Sequence, residues 1–433
     1  MLNGPVQRWA QRHRDPGLKR GPASFDRHSN WVRLAAESRT ESGMQFNALT
    51  FVAFFAIVVG LHYTLRSWTA RKAVLVAASY LFYAAWNPFY VVLLWISTLA
   101  DWQLARRIAV TGNIRRKRLL LAVSLSLNLG ILGYFKYGGF LLENFVALMA
   151  GFGLEYVPPA ASIVLPVGIS FYTFQTLSYT LDVYRGNMKP SYSLLDFSLF
   201  VSFFPQLVAG PIVRARYFLP QCIEPRRAGV DAFSWGLALM IFGLFAKVVL
   251  ADSVLAPIAD AVFGEPHAVG TFEAWLGVFA FSGQIFFDFS GYSTCAIGAA
   301  MCLGFALPDN FRSPYAAIGF SDFWRRWHIS LSEWLRDYLY ISLGGNRRGN
   351  ARTFVNLVVT MFLGGLWHGA SWMFVFWGLL HGIYLVIEHF LTSVLSGVLV
   401  LKSRLLQLAL SLLTFVVVSA TWVLFRSQDM ATA

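Results

Sequence analysis

The chain has 433 residues, of which 57% are hydrophobic and 13% are charged, and its formal net charge is +13. A soluble domain carries about 25% charged residues, so this composition excludes an ordinary soluble protein. The excess of positive charge does not indicate nucleic-acid binding, because the basic residues occupy short loops between apolar runs, where they orient membrane helices.

The first 43 residues differ in kind from the rest of the chain. They hold eight arginines and lysines and no apolar stretch of the sort found in a signal peptide. Apolar runs begin abruptly after Met44. We therefore expect residues 1–43 to form a disordered basic extension, with Met44 as an alternative start of translation. The intact mass of the natively expressed protein would decide between the two starts.

From residue 46 onward, apolar runs recur that are long enough to cross a bilayer, which takes about 20 residues. They are continuous rather than alternating, which disfavours a β-barrel. The predicted fold is therefore an all-α polytopic membrane protein, formed as one domain by residues 44–433, with 11 to 12 transmembrane or re-entrant helices. The predicted spans are 46–65, 73–87, 89–105, 119–135, 139–157, 161–181, 194–213, 232–250, 272–304, 353–373, 374–392 and 405–425. Basic loops at 66–72 and 106–118 fall on one side, predicted to be cytoplasmic.

Residues 314–345, called the charged segment below, depart from this pattern, because they combine many aromatic side chains with arginines and carboxylates. Ionisable groups in a membrane-embedded setting are costly and indicate a water-accessible functional site. On a helix, Trp327, Leu331, Trp334 and Tyr338 would form one apolar face. We expect this segment to lie at the membrane interface or inside the protein, away from lipid.

Two histidines are candidates for catalysis. His368 lies in a glycine-rich apolar stretch and could act as a general base, taking a proton from a hydroxyl as it attacks a thioester. A buried histidine hydrogen-bonded to a neighbouring helix explains His368 equally well. For His328, an interfacial histidine beside two arginines is the slightly favoured interpretation. No metal site is predicted, since the histidine spacing fits no metal motif and no carboxylate lies near His368.

Five further residues are candidates for binding substrate or donor. Arg325 and Arg326 could hold a phosphate or a carboxylate, although a role in membrane orientation explains them equally well. Trp327 lies beside His328 and is a candidate contact. Asp288, in the middle of an apolar run, is expected to pair with an arginine of the charged segment. Gln175 could bridge helices or line a tunnel, and the structural role is favoured.

Six stretches around these residues, in consistent order, resemble the membrane-bound O-acyltransferase superfamily, and most closely its bacterial alginate O-acetylation branch. They are PVGISFYTFQ at 166–175, YTLDVYRG at 179–186, FFPQLVAGPI at 203–212, DFSGY at 288–292, FWRRWHISL at 323–331 and LWHG at 366–369. The likeness covers roughly residues 44–427.

The resemblance implies a ring of helices around a central tunnel, in which a cytoplasmic acyl donor meets an acceptor from the other side of the membrane. His368 matches the family's near-invariant histidine and His328 its second one. No bound cofactor is implied; the donor is acetyl-CoA or another activated acyl carrier, whose phosphates would find Arg325 and Arg326. The implied partners are the lipid bilayer of the bacterial inner membrane, periplasmic acetyltransferases and a polysaccharide-secretion complex that acetylates alginate.

The sequence is also compatible with other functions. The same fold could transfer D-alanine to teichoic acid, or acetylate peptidoglycan or cellulose. A transporter would use the polar interior for passage, but no inverted repeat supports one. A catalytically silent scaffold is disfavoured by the presence of both histidines. Relatives usually continue through further hydrophobic segments beyond residue 433, so a short member or a truncated C-terminus is expected.

Overall fold

A computed structural model describes residues 44–158, 163–190, 192–264, 269–395, 403–427 and 429–433. The expectations for residues 1–43 lie outside the described residues. Within the described ranges the secondary structure is helical and no strand occurs, which confirms the all-α fold. The principal helices are α1 (Leu49–Thr64), α2 (Trp68–Ala84), α3 (Tyr90–Val110), α4 (Ile114–Gly151), α5 (Ile169–Tyr184), α6 (Leu194–Ser202), α7 (Val230–Gly264), α8 (Thr271–Cys302), α9 (Phe320–Arg326), α10 (Ile329–Trp334), α11 (Asn350–His368), α12 (Trp372–Leu395) and α13 (Arg404–Arg426).

Five helices of the described ranges, namely α4, α7, α8, α12 and α13, are long and apolar enough to cross a membrane. Their burial separates the rim of the protein from its centre. Only 17% of the apolar stretch of α4 is buried inside the protein, against 44% for α8. Large apolar side chains on the outer helices, such as Phe242, are exposed, as expected of a surface that faces lipid. The chain is a multi-pass membrane protein.

Helix α4 is one continuous helix where the sequence predicts two, over 119–135 and 139–157. The glycines at 138 and 139 suggest a break, but the chain passes through a π-helical turn, Gly133–Tyr137, and remains helical. Inside a bilayer every backbone polar group needs an internal partner, so a helix that widens locally is favoured over a loop.

The predicted span at 194–213 is the opposite case, because it is not one helix. Helix α6 ends at Ser202, Phe203 has a non-helical backbone, and a single helical turn, Phe204–Leu207, is followed by a segment without regular secondary structure. These residues are buried. The freed N–H of Phe204 donates to Oγ of Ser79, at 3.1 Å. Irregular backbone is tolerated here because protein side chains replace the missing helical bonds.

The charged segment also contains a break that the sequence does not reveal. Helix α9 ends at Arg326, Trp327 has an extended backbone, His328 has a left-handed backbone with φ of 42°, and α10 begins at Ile329. The single apolar face predicted from Trp327 to Tyr338 is therefore wrong. Trp327 packs with Phe286 of α8 and Trp422 of α13, whereas Leu331 and Trp334 pack against α5. The side chains of Trp327, Leu331 and Trp334 are all buried, which confirms that the segment avoids lipid.

Two residues predicted to be loop charges lie near the start of α2 and are buried. Arg71 is 5% exposed and donates to the carbonyl oxygen of Leu65 at 2.8 Å. Lys72 is 8% exposed and forms an ion pair with Asp196. Both cations therefore hold α2 to neighbouring segments, in addition to any effect on orientation.

Candidate active site

A cavity of about 400 Å³ lies between the end of α11, the start of α5, and helices α4, α8 and α13. Three residues predicted from the sequence line it: Trp327, His328 and His368. The remaining lining is mostly apolar and aromatic. It consists of Lys136, Leu165, Pro166, Val167, Gly168, Ile169, Ser170, Phe171, Ile285, Phe289, Trp367, Trp422 and Phe425. The cavity thus offers two imidazoles in surroundings of low polarity.

The position of His368 follows from a close contact between α11 and α12 one turn earlier. A Cβ atom on Gly365 would lie 2.3 Å from the carbonyl oxygen of Phe374, and Gly378 faces Gly365 from the other helix. Only glycine permits the two backbones to approach so closely. Helix α11 then ends at His368, and the chain continues extended at Gly369. The glycine-rich sequence therefore fixes the end of the helix that carries the histidine.

Aromatic rings surround the His368 imidazole. The rings of Trp377 and Phe425 meet it edge to face, with centroids 5.2 and 5.4 Å away. The ring of His328 lies 6.2 Å from that of His368, centre to centre. The two histidines are therefore neighbours on one cavity, although 39 residues of chain and two helices separate them in sequence.

His328 is 1% exposed, and its ring lies edge to face with Phe289 at 4.6 Å. Neither ring nitrogen has a hydrogen-bond partner among the described residues. A buried polar atom left unpaired costs about 1–3 kcal/mol, and such atoms in a folded protein call for an explanation. A ligand in the cavity would provide one.

Lys136, which was not predicted from the sequence, also lines this cavity. It lies in the π-helical turn of α4, where its ammonium group donates to the carbonyl oxygen of Trp367 and to Oγ of Ser170, the latter at 3.0 Å. The sequence did contain a signal, since Lys136 is an isolated cation in an apolar run. Dividing that run into two spans places Lys136 in a loop and removes the signal.

The other candidate residues do not belong to the described lining of the cavity. Asp288 pairs with Lys247 of α7, so the expectation of an arginine partner is wrong; helices α7 and α8 pack against each other and bring the lysine closer. Arg326 pairs with Asp322 at 2.9 Å, and Arg325 is exposed. The structure places the Gln175 amide in the protein interior, with no partner among the described residues.

The charges of α10 and the π-helical turn that follows it, Leu335–Tyr340, form a separate cluster. Arg214 binds Glu333 at 3.2 Å and Asp337 at 2.5 Å, and Arg336 binds Asp337 at 2.7 Å. Burial of the Asp337 carboxyl would raise its pKa, but the hydrogen bond from Arg336 and the charge of Arg214 outweigh burial and hold that pKa below its usual range. The cluster is close to charge balance and serves to fasten α10.

An aromatic stack connects this cluster with the cavity. The ring of Trp334 lies on that of Phe174 at 3.8 Å, and Phe174 in turn stacks on Trp367 at 5.5 Å. The indole N–H of Trp334 donates to the carbonyl oxygen of Phe174 at 2.9 Å. Helix α5 thereby holds both α10 and the residue that precedes His368.

One further hydrogen bond ties α5 to the charged segment. The Tyr338 hydroxyl donates to Asp182 at 2.9 Å, as expected of a polar residue that bridges helices.

In the described ranges, no three side chains of His, Cys, Asp or Glu lie close enough together to hold a metal ion.

Comparison with known proteins places these features in a family. The sequence profile of MBOAT, the membrane-bound O-acyltransferase family, matches residues 40–404. The chain is 41% identical to the probable alginate O-acetylase AlgI of Azotobacter vinelandii, over 90% of this chain and 76% of that protein. It is also 41% identical to the probable alginate O-acetylase AlgI of Pseudomonas putida, over 90% and 79% of the two chains. Its identity to the peptidoglycan O-acetyltransferase of Helicobacter pylori is 38%, over 90% and 78%.

Proposed function

This chain belongs to the membrane-bound O-acyltransferase family and is an acyltransferase, and we propose that it serves the O-acetylation of an exopolysaccharide, alginate. The group transferred is acetyl, taken from an activated donor on the cytoplasmic side of the bacterial inner membrane. The two alginate O-acetylases that share 41% identity with the chain support this assignment of acceptor.

The observation that carries the proposal is the cavity shared by His328 and His368. In the proposed reaction, Nδ1 or Nε2 of a neutral His368 takes the proton of an acceptor hydroxyl. The hydroxyl oxygen attacks the carbonyl carbon of the acetyl thioester, and the carbon–sulfur bond then breaks. The thiolate leaves and receives the proton from the imidazolium, so that His368 returns to its neutral form.

The apolar lining supports this chemistry, because a site that excludes bulk water protects the thioester from hydrolysis. His328 is proposed to hydrogen-bond the reacting groups, since its ring nitrogens have no partner in the described part of the chain. We also propose that the cavity belongs to a central tunnel through which donor and acceptor approach from opposite sides of the membrane.

The donor is proposed to be acetyl-CoA or another acyl carrier with phosphate groups. Arg325 is exposed and could contact a phosphate, whereas the guanidinium of Arg326 already binds Asp322. Periplasmic acetyltransferases and a polysaccharide-secretion complex are the proposed partners that complete the modification. Trp327, which lines the cavity beside His328, is proposed to contact the substrate.

The test uses inverted membrane vesicles supplied with labelled acetyl-CoA and acceptor. His368→Ala is expected to reduce the transfer of label by about 10²- to 10⁴-fold, the usual contribution of a general base, while the protein accumulates normally. His389→Gln is the matched control, because His389 packs against Phe354 and is not among the residues that line the cavity. Full transfer by the His368→Ala variant would overturn the proposal.

Peptidoglycan acetylation is the second candidate, because the chain aligns with 78% of a peptidoglycan O-acetyltransferase at 38% identity. The same vesicles separate the two, if label is followed into alginate and into peptidoglycan strands offered in parallel. Transfer to peptidoglycan alone would replace alginate as the acceptor without altering the role of His368. Transfer of labelled alanine from a carrier protein would instead indicate D-alanylation.

A further inference from the structure

We propose that Lys136 and Tyr137 are positioning residues, which fix the end of α11 and thereby the imidazole of His368. The proposal rests on the catalytic role proposed above for His368. Neither residue was singled out by the sequence, and they lie in α4, more than two hundred residues away from the histidine along the chain.

The contacts are made to two successive carbonyl groups. The Tyr137 hydroxyl donates to the carbonyl oxygen of Leu366 at 2.8 Å, and the Lys136 ammonium donates to the carbonyl oxygen of Trp367. The last four carbonyls of a helix have no partner within the helix, and a cation beside them also complements the helix dipole. The two peptide groups immediately before His368 are therefore held from outside.

Lys136 also ties a second wall of the cavity to the first. Its ammonium group donates to Oγ of Ser170, at the start of α5, and its nitrogen lies 5.3 Å from the centre of the Trp367 ring. Ser170 and Lys136 both line the cavity. One side chain of α4 thus sets the spacing between α5 and the end of α11, where His368 must meet its substrate.

The partners of half-buried Lys136 distinguish it from Lys72, which is buried, and from Lys247, which is half-buried like Lys136. Lys72 pairs with Asp196, and Lys247 pairs with two carboxylates, Asp252 and Asp288. Lys136 binds only neutral acceptors and forms no ion pair within the described ranges. A cation in an apolar helix is costly, and neutral partners compensate it less than a carboxylate would. Stability alone therefore explains Lys247 better than it explains Lys136.

The π-helical turn provides the geometry. Gly133–Tyr137 widens α4 by one residue at the level of the cavity, and such turns occur frequently at functional sites. The turn ends with Lys136 and Tyr137 side by side, and both reach the same end of α11. The π-helical turn therefore serves to bring these two side chains to the end of α11, rather than only to bend α4.

The experiment compares turnover and donor affinity in purified, reconstituted protein. Lys136→Met, which keeps the length of the side chain and removes the charge, is expected to lower kcat 10- to 100-fold and to leave KM for the donor within about twofold. Lys136→Arg keeps the donors and should recover part of the lost kcat. Tyr137→Phe removes one hydroxyl and should lower kcat several-fold.

Lys247→Met is the matched control, because Lys247 also lies in a π-helical turn of a spanning helix. Its partners are carboxylates that do not line the cavity, so its loss should lower the thermal midpoint and leave kcat within about twofold. If Lys136→Met behaves like this control, with kcat retained, the positioning role is overturned. If Lys136→Met does not accumulate, Tyr137→Phe decides: an unchanged kcat overturns the proposal.

The outcomes also separate this inference from the function on which it rests. Loss of transfer in His368→Ala together with full kcat in Lys136→Met and Tyr137→Phe would refute positioning and leave the general base in place. Full transfer in His368→Ala would refute the general base itself.

Discussion

The stretch from Phe320 to Tyr340 contributes to two regions that differ in how their polar side chains are paired. Around Asp337, arginines and carboxylates meet each other at 2.5–3.4 Å. Around His328, a fully buried imidazole has no hydrogen-bond partner in the described part of the chain. In the first, the paired region, the charged side chains bind each other. In the second, the unpaired region, the ring nitrogens of His328 remain available to bind a ligand.

The difference shows that the most highly charged part of this stretch is not the part that lines the cavity. Glu333, Arg336 and Asp337 are conspicuous charges in the sequence, yet they form ion pairs within the cluster around Arg214. His381 gives the corresponding contrast among histidines, since its Nε2 lies 3.1 Å from Oγ1 of Thr421. That arrangement is the structural role which the sequence left open for His368. Unpaired polar atoms beside the cavity are what make His328 a candidate for function.

The largest expected effect tests the unpaired region. His328→Asn keeps a residue that tolerates a left-handed backbone and removes the imidazole. We expect kcat for acetyl transfer to fall at least 10²-fold, with a thermal midpoint within a few degrees of the unmodified protein, because no described hydrogen bond is lost. A large loss of stability with kcat retained would instead make His328 a structural residue.

The next effect tests the paired region. Asp337→Asn leaves Arg214, which is itself largely buried, without its closest partner. We expect a loss of about 1–3 kcal/mol of stability, measured as a lower thermal midpoint in detergent, with kcat of the folded fraction unchanged. A fall in kcat at unchanged stability would show that the two regions are not distinct.

The stability lost in Asp337→Asn is expected to depend on pH. The pKa of Asp337 lies below its usual range in the folded protein, so the carboxylate contributes stability above its unfolded pKa of about 3.9. That contribution is lost as the pH falls through the folded pKa. The difference in thermal midpoint between Asp337→Asn and the unmodified protein should therefore narrow below about pH 5. A difference that stays constant down to pH 3 would exclude this account.

A smaller effect tests the stack between the two regions. Trp334→Phe keeps an aromatic ring against Phe174 and removes the indole N–H that binds the Phe174 carbonyl oxygen. We expect a loss of about 1 kcal/mol of stability and a change in kcat of no more than about threefold. A tenfold fall in kcat would show that the stack transmits the position of α10 to Trp367.

The smallest effect concerns Arg325, whose exposed side chain belongs to neither region. Arg325→Ala is expected to raise KM for a phosphate-bearing donor about threefold, as an exposed charge contact allows, without a change in kcat or thermal midpoint. Arg326→Ala is the comparison, because Arg326 is bound to Asp322. An unchanged KM in Arg325→Ala would favour a role in membrane orientation.

The sequence was sufficient for the features that depend on composition and length. Apolar runs long enough for a bilayer predicted the all-α fold, and the resemblance in ordered motifs predicted the family. Neither source predicted where helices bend. The backbone of His328 is left-handed because α9 and α10 meet there, and no pattern in the local sequence requires that. The prediction of one continuous apolar helix face from Trp327 to Tyr338 is wrong for this reason.

For the candidate site, the sequence predicted which residues share a cavity better than it predicted which residues pair with each other. His328, His368 and Trp327 were all identified and all line one cavity. The partner of Asp288 was wrong, since pairing depends on which helices pack together, and this cannot be read from a single chain. Lys136 was missed because an error of a few residues at a helix boundary moved it out of the membrane.

The π-helical turn of α4 has a consequence for the phase of the helix. Each residue of an α-helix advances the side chains by about 100°, so the extra residue in Gly133–Tyr137 puts Ile114–Leu132 and Gly138–Gly151 out of step with each other. Deleting one residue from the turn would restore the regular α-helical spacing and change which side chains of the turn face the end of α11. The number of residues in this turn, as much as their chemistry, therefore decides which side chains of α4 reach the site.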